Sequence, residues 1–199
     1  ADLYLAQCVQ LGRAASTTFM HYLEHLVKEG VTELDLSRLI LAEDDTSQTI
    51  GFLPYDSFFQ GVVLANVQRK DALPAAAAAM RTNSHLTRIA LRGMGADEKQ
   101  IAEFADALRQ SASHHTLCSL DLSSNNVRDS GVKVLAVALE KLQHGLLHLN
   151  LSNAGIGSKG FQILFEAFRR NLGMSLTIES LDVSRNKLED PGTHALESW

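Results

Sequence analysis

The sequence predicts an α/β solenoid, a horseshoe with parallel strands on its concave face, helices on its convex face and a helical cap at its N-terminal end. Three observations lead there. One apolar frame returns six times in the 199 residues, almost letter for letter in LCSLDLSSNNV from Leu117, LLHLNLSNAGI from Leu146 and IESLDVSRNKL from Ile178. A weaker copy, VTELDLSRLIL, starts at Val31, and two degenerate ones, FQGVVLANV from Phe59 and LTRIALRGMGA from Leu86, lie between. The spacing is regular as well: the fourth frame residues, Leu34, Val62, Ile89, Leu120, Leu149 and Leu181, are 28, 27, 31, 29 and 32 residues apart. Finally, amphipathic stretches follow the frames. A single strand-helix unit cannot bury its apolar side alone, so the units must stack and share one core.

Residues 1–30 form the expected cap. LYLAQCVQLG and STTFMHYLEHLVKEG read as two helices, the second with Ser16 or Thr17 as N-cap and Gly30 as its stop. Residues 31–199 hold about six strand-helix units, the last of them truncated. Within a frame the first, fourth and sixth residues are apolar, and alternate side chains of a strand share a face. Leu34 with Leu36, Leu120 with Leu122, Leu149 with Leu151 and Leu181 with Val183 therefore point inward. Asparagine at the ninth position, Asn125 and Asn186, has the donor and acceptor needed to satisfy backbone groups as the chain leaves the strand. Leu39, Val67, Met94 and Ala154 replace it elsewhere, so this ladder is incomplete.

Between Leu41 and Phe59, AEDDTSQTIGFLPYDSF reads as a loop with at most a short helix. DALPAAAAAMRTNSH reads as a helix with Pro74 in its first turn and small residues that let it lie close to the sheet. Ile101, Phe104, Ala105 and Leu108 recur at helical spacing after the third frame, as do Val132, Leu135, Ala136 and Leu139 after the fourth and Phe161, Leu164, Phe165 and Phe168 after the fifth. DPGTHALESW opens a last helix at Pro191 that stops short of its sisters, which implies more repeats after Trp199 and a longer protein.

With 45% hydrophobic and 21% charged residues the chain is long enough for a sizeable core. No run approaches the roughly 18 apolar residues of a membrane span. The start ADLYLAQCVQ has no basic segment ahead of its apolar one, and Cys8 and Cys118 do not make a disulfide framework, so a cytoplasmic location is expected. The net charge of −5 argues against nucleic acid. The sequon Asn150-Leu151-Ser152 lies inside a strand frame that already accounts for both polar residues.

Catalytic chemistry finds little support. HYLEH sets His21 and His25 one helical turn apart around Glu24, the spacing of an inverted zinc-protease motif, but an amphipathic helix with Phe19, Leu23 and Leu26 on its buried side explains the same letters. His114 and His115 sit in a loop without a partner at ligand spacing, and GMGADE lacks the lysine of a phosphate loop, so its glycines serve to turn strand into helix. No catalytic residue, cofactor or metal is expected. The outward strand residues carry more information. Glu33, Asp35, Arg88, Arg92, Asp121, His148, Asn150 and Asp182 form a polar row on the concave face, where curved repeat arrays present surfaces to protein partners.

The frame matches the leucine-rich repeat signature L-x-x-L-x-L-x-x-N/C-x-L. Its long repeats resemble those of ribonuclease inhibitor. The stretch from Ser119 to Asn171 resembles the repeat domain of the CARMIL family of actin capping-protein regulators, through Asn126, Val127, Asp129, Gly131 and Val132 and then Ser158, Lys159 and Gly160. That resemblance implies a scaffold section of a larger cytosolic regulator of actin assembly, with room for a homodimer through other parts of the full-length protein. The family's basic capping-protein-binding segment and its membrane-binding domain have no counterpart in these residues, so neither uncapping nor membrane contact is expected of them. A Ran-type GTPase activator and the sensor domain of a nucleotide-binding immune receptor share the repeat type and stand as alternatives.

Overall fold

The computed structural model describes residues 1–37, 39, 46–65, 72–111 and 115–187. Helices α1 (Asp2–Gln10) and α2 (Thr17–Lys28) precede strand β1 (Glu33–Asp35). A short helix α3 (Thr46–Ile50) and a 3₁₀ turn (Leu53–Tyr55) lead to β2 (Gly61–Ala65). Then α4 (Ala72–Thr82), β3 (Arg88–Arg92), α5 (Glu98–Arg109), β4 (Ser119–Asp121), α6 (Arg128–Leu139), β5 (His148–Asn150), α7 (Ser158–Arg170), α8 (Leu172–Thr177) and β6 (Ser180–Asp182) follow. The six strands form one parallel sheet in strict chain order. Leu34, Val62, Ile89, Leu120, Leu149 and Leu181 pair in succession, so the fourth frame residue is a single rung across the whole sheet.

The inward set is buried as the alternation requires. Leu34, Leu36, Leu64, Leu91, Leu120, Leu122 and Leu151 are at most 1% exposed, whereas Leu181 and Val183 in the last described frame are half-buried. The apolar helix faces of α5, α6 and α7 close the core from the other side, and α4 to α7 pack in sequence along it. In α4 the alanines Ala76, Ala77 and Ala79 are buried, which is how that helix lies close to its neighbours. Two elements carry no periodic signal and were not expected: α8 buries only Met174 and exposes Leu172 and Leu176, and the 3₁₀ turn hides Leu53. The predicted helix from Pro191, the ninth frame residue Val67 and His114 lie outside the described residues.

Side-chain bonds and backbone turns hold the repeats in register. Asn125 donates from Nδ2 to the carbonyls of Leu91 (2.7 Å) and Leu122 (2.9 Å) and accepts the Met94 amide at 2.9 Å, so one side chain ties two repeats together. Asn186 repeats the pattern with Leu151 and Val183 as acceptors and Ala154 and Ile156 as donors. A second series sits where helices end: Asn83 donates to Leu53 and Asp56, Ser111 to Met80, and Asn171 to Leu139 and Leu142. Among the described residues the eighth frame residue is left-handed at Gly93 (φ 59°), Ser124 (57°), Asn153 (51°) and Arg185 (57°), which gives GMGADE its turning role. Lastly, Asp129 in the first turn of α6 accepts the Gly157 amide at 2.7 Å and so places a carboxylate at the start of α7. Gly160 leaves room for it, since a Cβ there would stand 2.5 Å from Asp129 Oδ1.

The N-terminal helices join the same core. Ser16 caps α2 by accepting the Phe19 amide, Tyr4 packs edge-on against Phe19 at 4.8 Å, and Gln48 donates to Tyr4 Oη, Cys8 Sγ and the Ala14 carbonyl. Tyr22 donates its hydroxyl to the Asp35 carbonyl at 2.8 Å. Burial, then the Asp35 carboxylate, push the Tyr22 phenol up.

Candidate functional site on the concave sheet face

The outward strand residues fall into rows fixed by the register. One row runs Glu33, Gly61, Arg88, Ser119, His148, Ser180, and the next runs Asp35, Val63, Ala90, Asp121, Asn150, Asp182. Because Gly61 has no side chain, Glu33 reaches across β2 and pairs with Arg88 at 3.2 Å. Arg92 pairs diagonally with Asp121, Nε to Oδ2 at 2.6 Å. The apolar pair Val63 and Ala90 separates Asp35 from Asp121.

The fifth frame residue has a local task as well. Asp35, Asp121, Asn150 and Asp182 each accept the backbone amide two residues on, from Ser37, Ser123, Ser152 and Ser184 at 2.9 to 3.0 Å. This side-chain turn ends the strand. Asp121 is the most committed member. It is 6% exposed and takes Arg92, the Ser123 amide and Asn150 Nδ2 at 3.3 Å, so its charge is met inside the sheet. Asp182 is more open, and the Ser184 backbone and side-chain donors hold its carboxyl below the usual carboxylate range.

Arg88, Arg92, Asp121, His148, Asn150 and Asp182 line one shallow depression of about 350 Å³. The structure thus gathers six of the eight outward residues singled out from sequence. Glu33 reaches the group only through its pair with Arg88, and Asp35 stands apart. The direction of each outward residue was legible in the frame; the diagonal Arg92–Asp121 pair was not, because it joins residues 29 positions apart in sequence through strand register alone.

The chemical alternatives are placed too. His21, Glu24 and His25 are exposed, with Phe19, Leu23 and Leu26 buried on the other side of α2. Among the described residues no three His, Cys, Asp or Glu side chains gather as metal ligands. His115 lies edge-on to His144 with ring centres 5.7 Å apart, and Cys8 and Cys118 are free thiols. Among the described residues no helix is long and apolar enough to cross a membrane.

A leucine-rich repeat family model matches residues 113–136 and 175–196. The Rho GTPase-activating protein gacW of Dictyostelium discoideum is 23% identical over 195 residues, 97% of this chain and 17% of that protein. Protein CARMIL of the same organism is 26% identical over 159 residues, 79% of this chain and 15% of that protein. NACHT, LRR and PYD domains-containing protein 4C of Mus musculus is 40% identical over 81 residues, 41% of this chain and 8% of that protein. The chain spans less than a fifth of each of these relatives.

Proposed function

We propose that this leucine-rich repeat solenoid, similar to protein CARMIL, is a protein-interaction scaffold that holds its partner on the concave face and forms one section of a larger cytosolic regulator of actin assembly. The observation that carries this reading is the depression itself. Charged and polar side chains are held on the strands by ion pairs and amide bonds, and together they line it. Sheet-borne groups lose little freedom on binding, so their contacts translate into specificity and association rate.

The comparisons favour a module of this kind. Differently named proteins match this segment in whole or in part, and the matched stretch is a small part of each. The match to gacW runs over nearly the whole chain, which favours a second reading: a repeat section attached to a Rho GTPase activator whose chemistry is carried elsewhere. In neither reading does this segment turn over a substrate. Filament uncapping and GTP hydrolysis by Rho and Ran GTPases are therefore assayed with the purified chain, and no activity above buffer is expected. Robust uncapping would place a capping-protein site within the repeats, and accelerated hydrolysis would make a GTPase activator the better reading.

A further inference from the structure

We infer that the concave face is bipolar and accepts an extended polypeptide segment carrying one acidic and one basic side chain four residues apart, the acid over β3 and the base over β6. This rests on the reading of the concave face as the partner surface and specifies what the partner brings to it.

The basic pole is β3. Arg88 and Arg92 point to the same side of that strand, and their side chains are 44% and 42% exposed. Among the described residues Arg88 spends one terminal nitrogen on Glu33, and Arg92 spends only Nε on Asp121. A guanidinium carries five N–H donors in a planar fork, so each keeps donors for an incoming carboxylate. Between the poles Asp121 is satisfied by Arg92, the Ser123 amide and Asn150, so it offers no open acceptor. The acidic pole is β6, where Asp182 accepts the Ser184 amide and makes no ion pair within 4 Å among the described residues, the Arg185 charge acting on it only from further off.

The spacing follows from sheet geometry. From β3 to β6 there are three strand intervals, about 14 Å at roughly 4.8 Å each. An extended segment advances about 3.3 Å per residue, so about four residues span that distance, and residues i and i+4 of such a segment share one side. A helix carrying the same two residues four apart fails this test, since its i and i+4 side chains lie only about 6 Å apart and neutralise each other. Ser119, His148 and Ser180 lie along the path with groups that can bond the segment's backbone.

The test uses four nine-residue threonine-rich peptides: Glu and Lys four apart, the same two residues adjacent, two Glu four apart and two Lys four apart. Binding to the whole chain is followed by amide and arginine Nε–H NMR shifts at low salt. The four-apart mixed peptide is expected to bind at least about tenfold tighter than its adjacent isomer, with shifts at Arg88, Arg92 and Asp182. Asp182→Lys should transfer the preference to the Glu/Glu peptide. Arg88→Gln, which removes one of the two β3 guanidinium groups, should lower affinity for the Glu-containing peptides and leave the Lys/Lys peptide unweakened. Equal affinity for the two isomers, a wild-type preference for a single-sign peptide, or shifts confined to the helices would overturn the inference. The scaffold reading has its own readout, partner cross-linking from Asn150: if that persists without a peptide preference, only the bipolar specification falls.

Discussion

Replacing Asn125 by alanine tests the device on which the solenoid's regularity depends. The side chain is 3% exposed and makes bonds to Leu91, Leu122, Ser123 and Met94. Alanine leaves the Met94 amide and the Leu91 carbonyl without this partner in residues that are themselves 3% and 0% exposed. Each orphaned buried group costs about 1 to 3 kcal/mol, so the two together set the loss at about 2 to 6 kcal/mol. Against a usual total stability of about 5 to 15 kcal/mol, that is a large fraction. Equilibrium urea unfolding measures it, with an unchanged slope showing that the transition itself is unaltered. Asn126→Ala, at an exposed neighbour, should stay within about 0.5 kcal/mol. A loss below about 1 kcal/mol at Asn125 would mean that apolar stacking alone sets the register and that the amide ladder is incidental.

Three further outcomes follow from the same structure. Leu122→Ala, at a fully buried inward site, should cost about 2 to 5 kcal/mol in the same melts, while the exposed outward Ser180→Ala should stay within about 0.5. Gly160→Ala brings a methyl to 2.5 Å from Asp129 Oδ1 and 2.7 Å from Ile156 Cγ2, and overpacking of that kind should cost about 1 to 3 kcal/mol. Asp182 has a folded carboxyl below its unfolded value of about 3.9, so its contribution is fully present above that pH and is lost as pH falls through the folded value. Melts between pH 2 and 6 should show a shallower acid limb for Asp182→Asn than for wild type.

The strands and their faces were legible because Leu34, Leu120, Leu149 and their partners alternate at period two, and the long helices because sets such as Ile101, Phe104 and Leu108 recur at helical spacing. Helix α8 was not, since Leu172 and Leu176 are apolar yet exposed and give no amphipathic pattern. The second asparagine and serine series, Asn83, Ser111 and Asn171, was equally hidden, because it follows helix ends rather than the strand frame. At the concave face each outward residue could be named from its place in the frame. What the sequence withheld was pairing. Glu33 meets Arg88 only because Gly61 clears the strand between them, and Asp121 proves to be an internal anchor where its frame position suggested a contact residue.

The claim that partners bind on the concave face is tested most directly by placing a photo-reactive amino acid at one of two positions. Asn150 lies in the depression, and Val137, 49% exposed, lies on the helical side. After irradiation in cell extract, a discrete cross-linked partner is expected from position 150 that disappears when Asp182→Lys is added, and none from position 137. A partner captured from position 137 alone, indifferent to the charge at position 182, would contradict it.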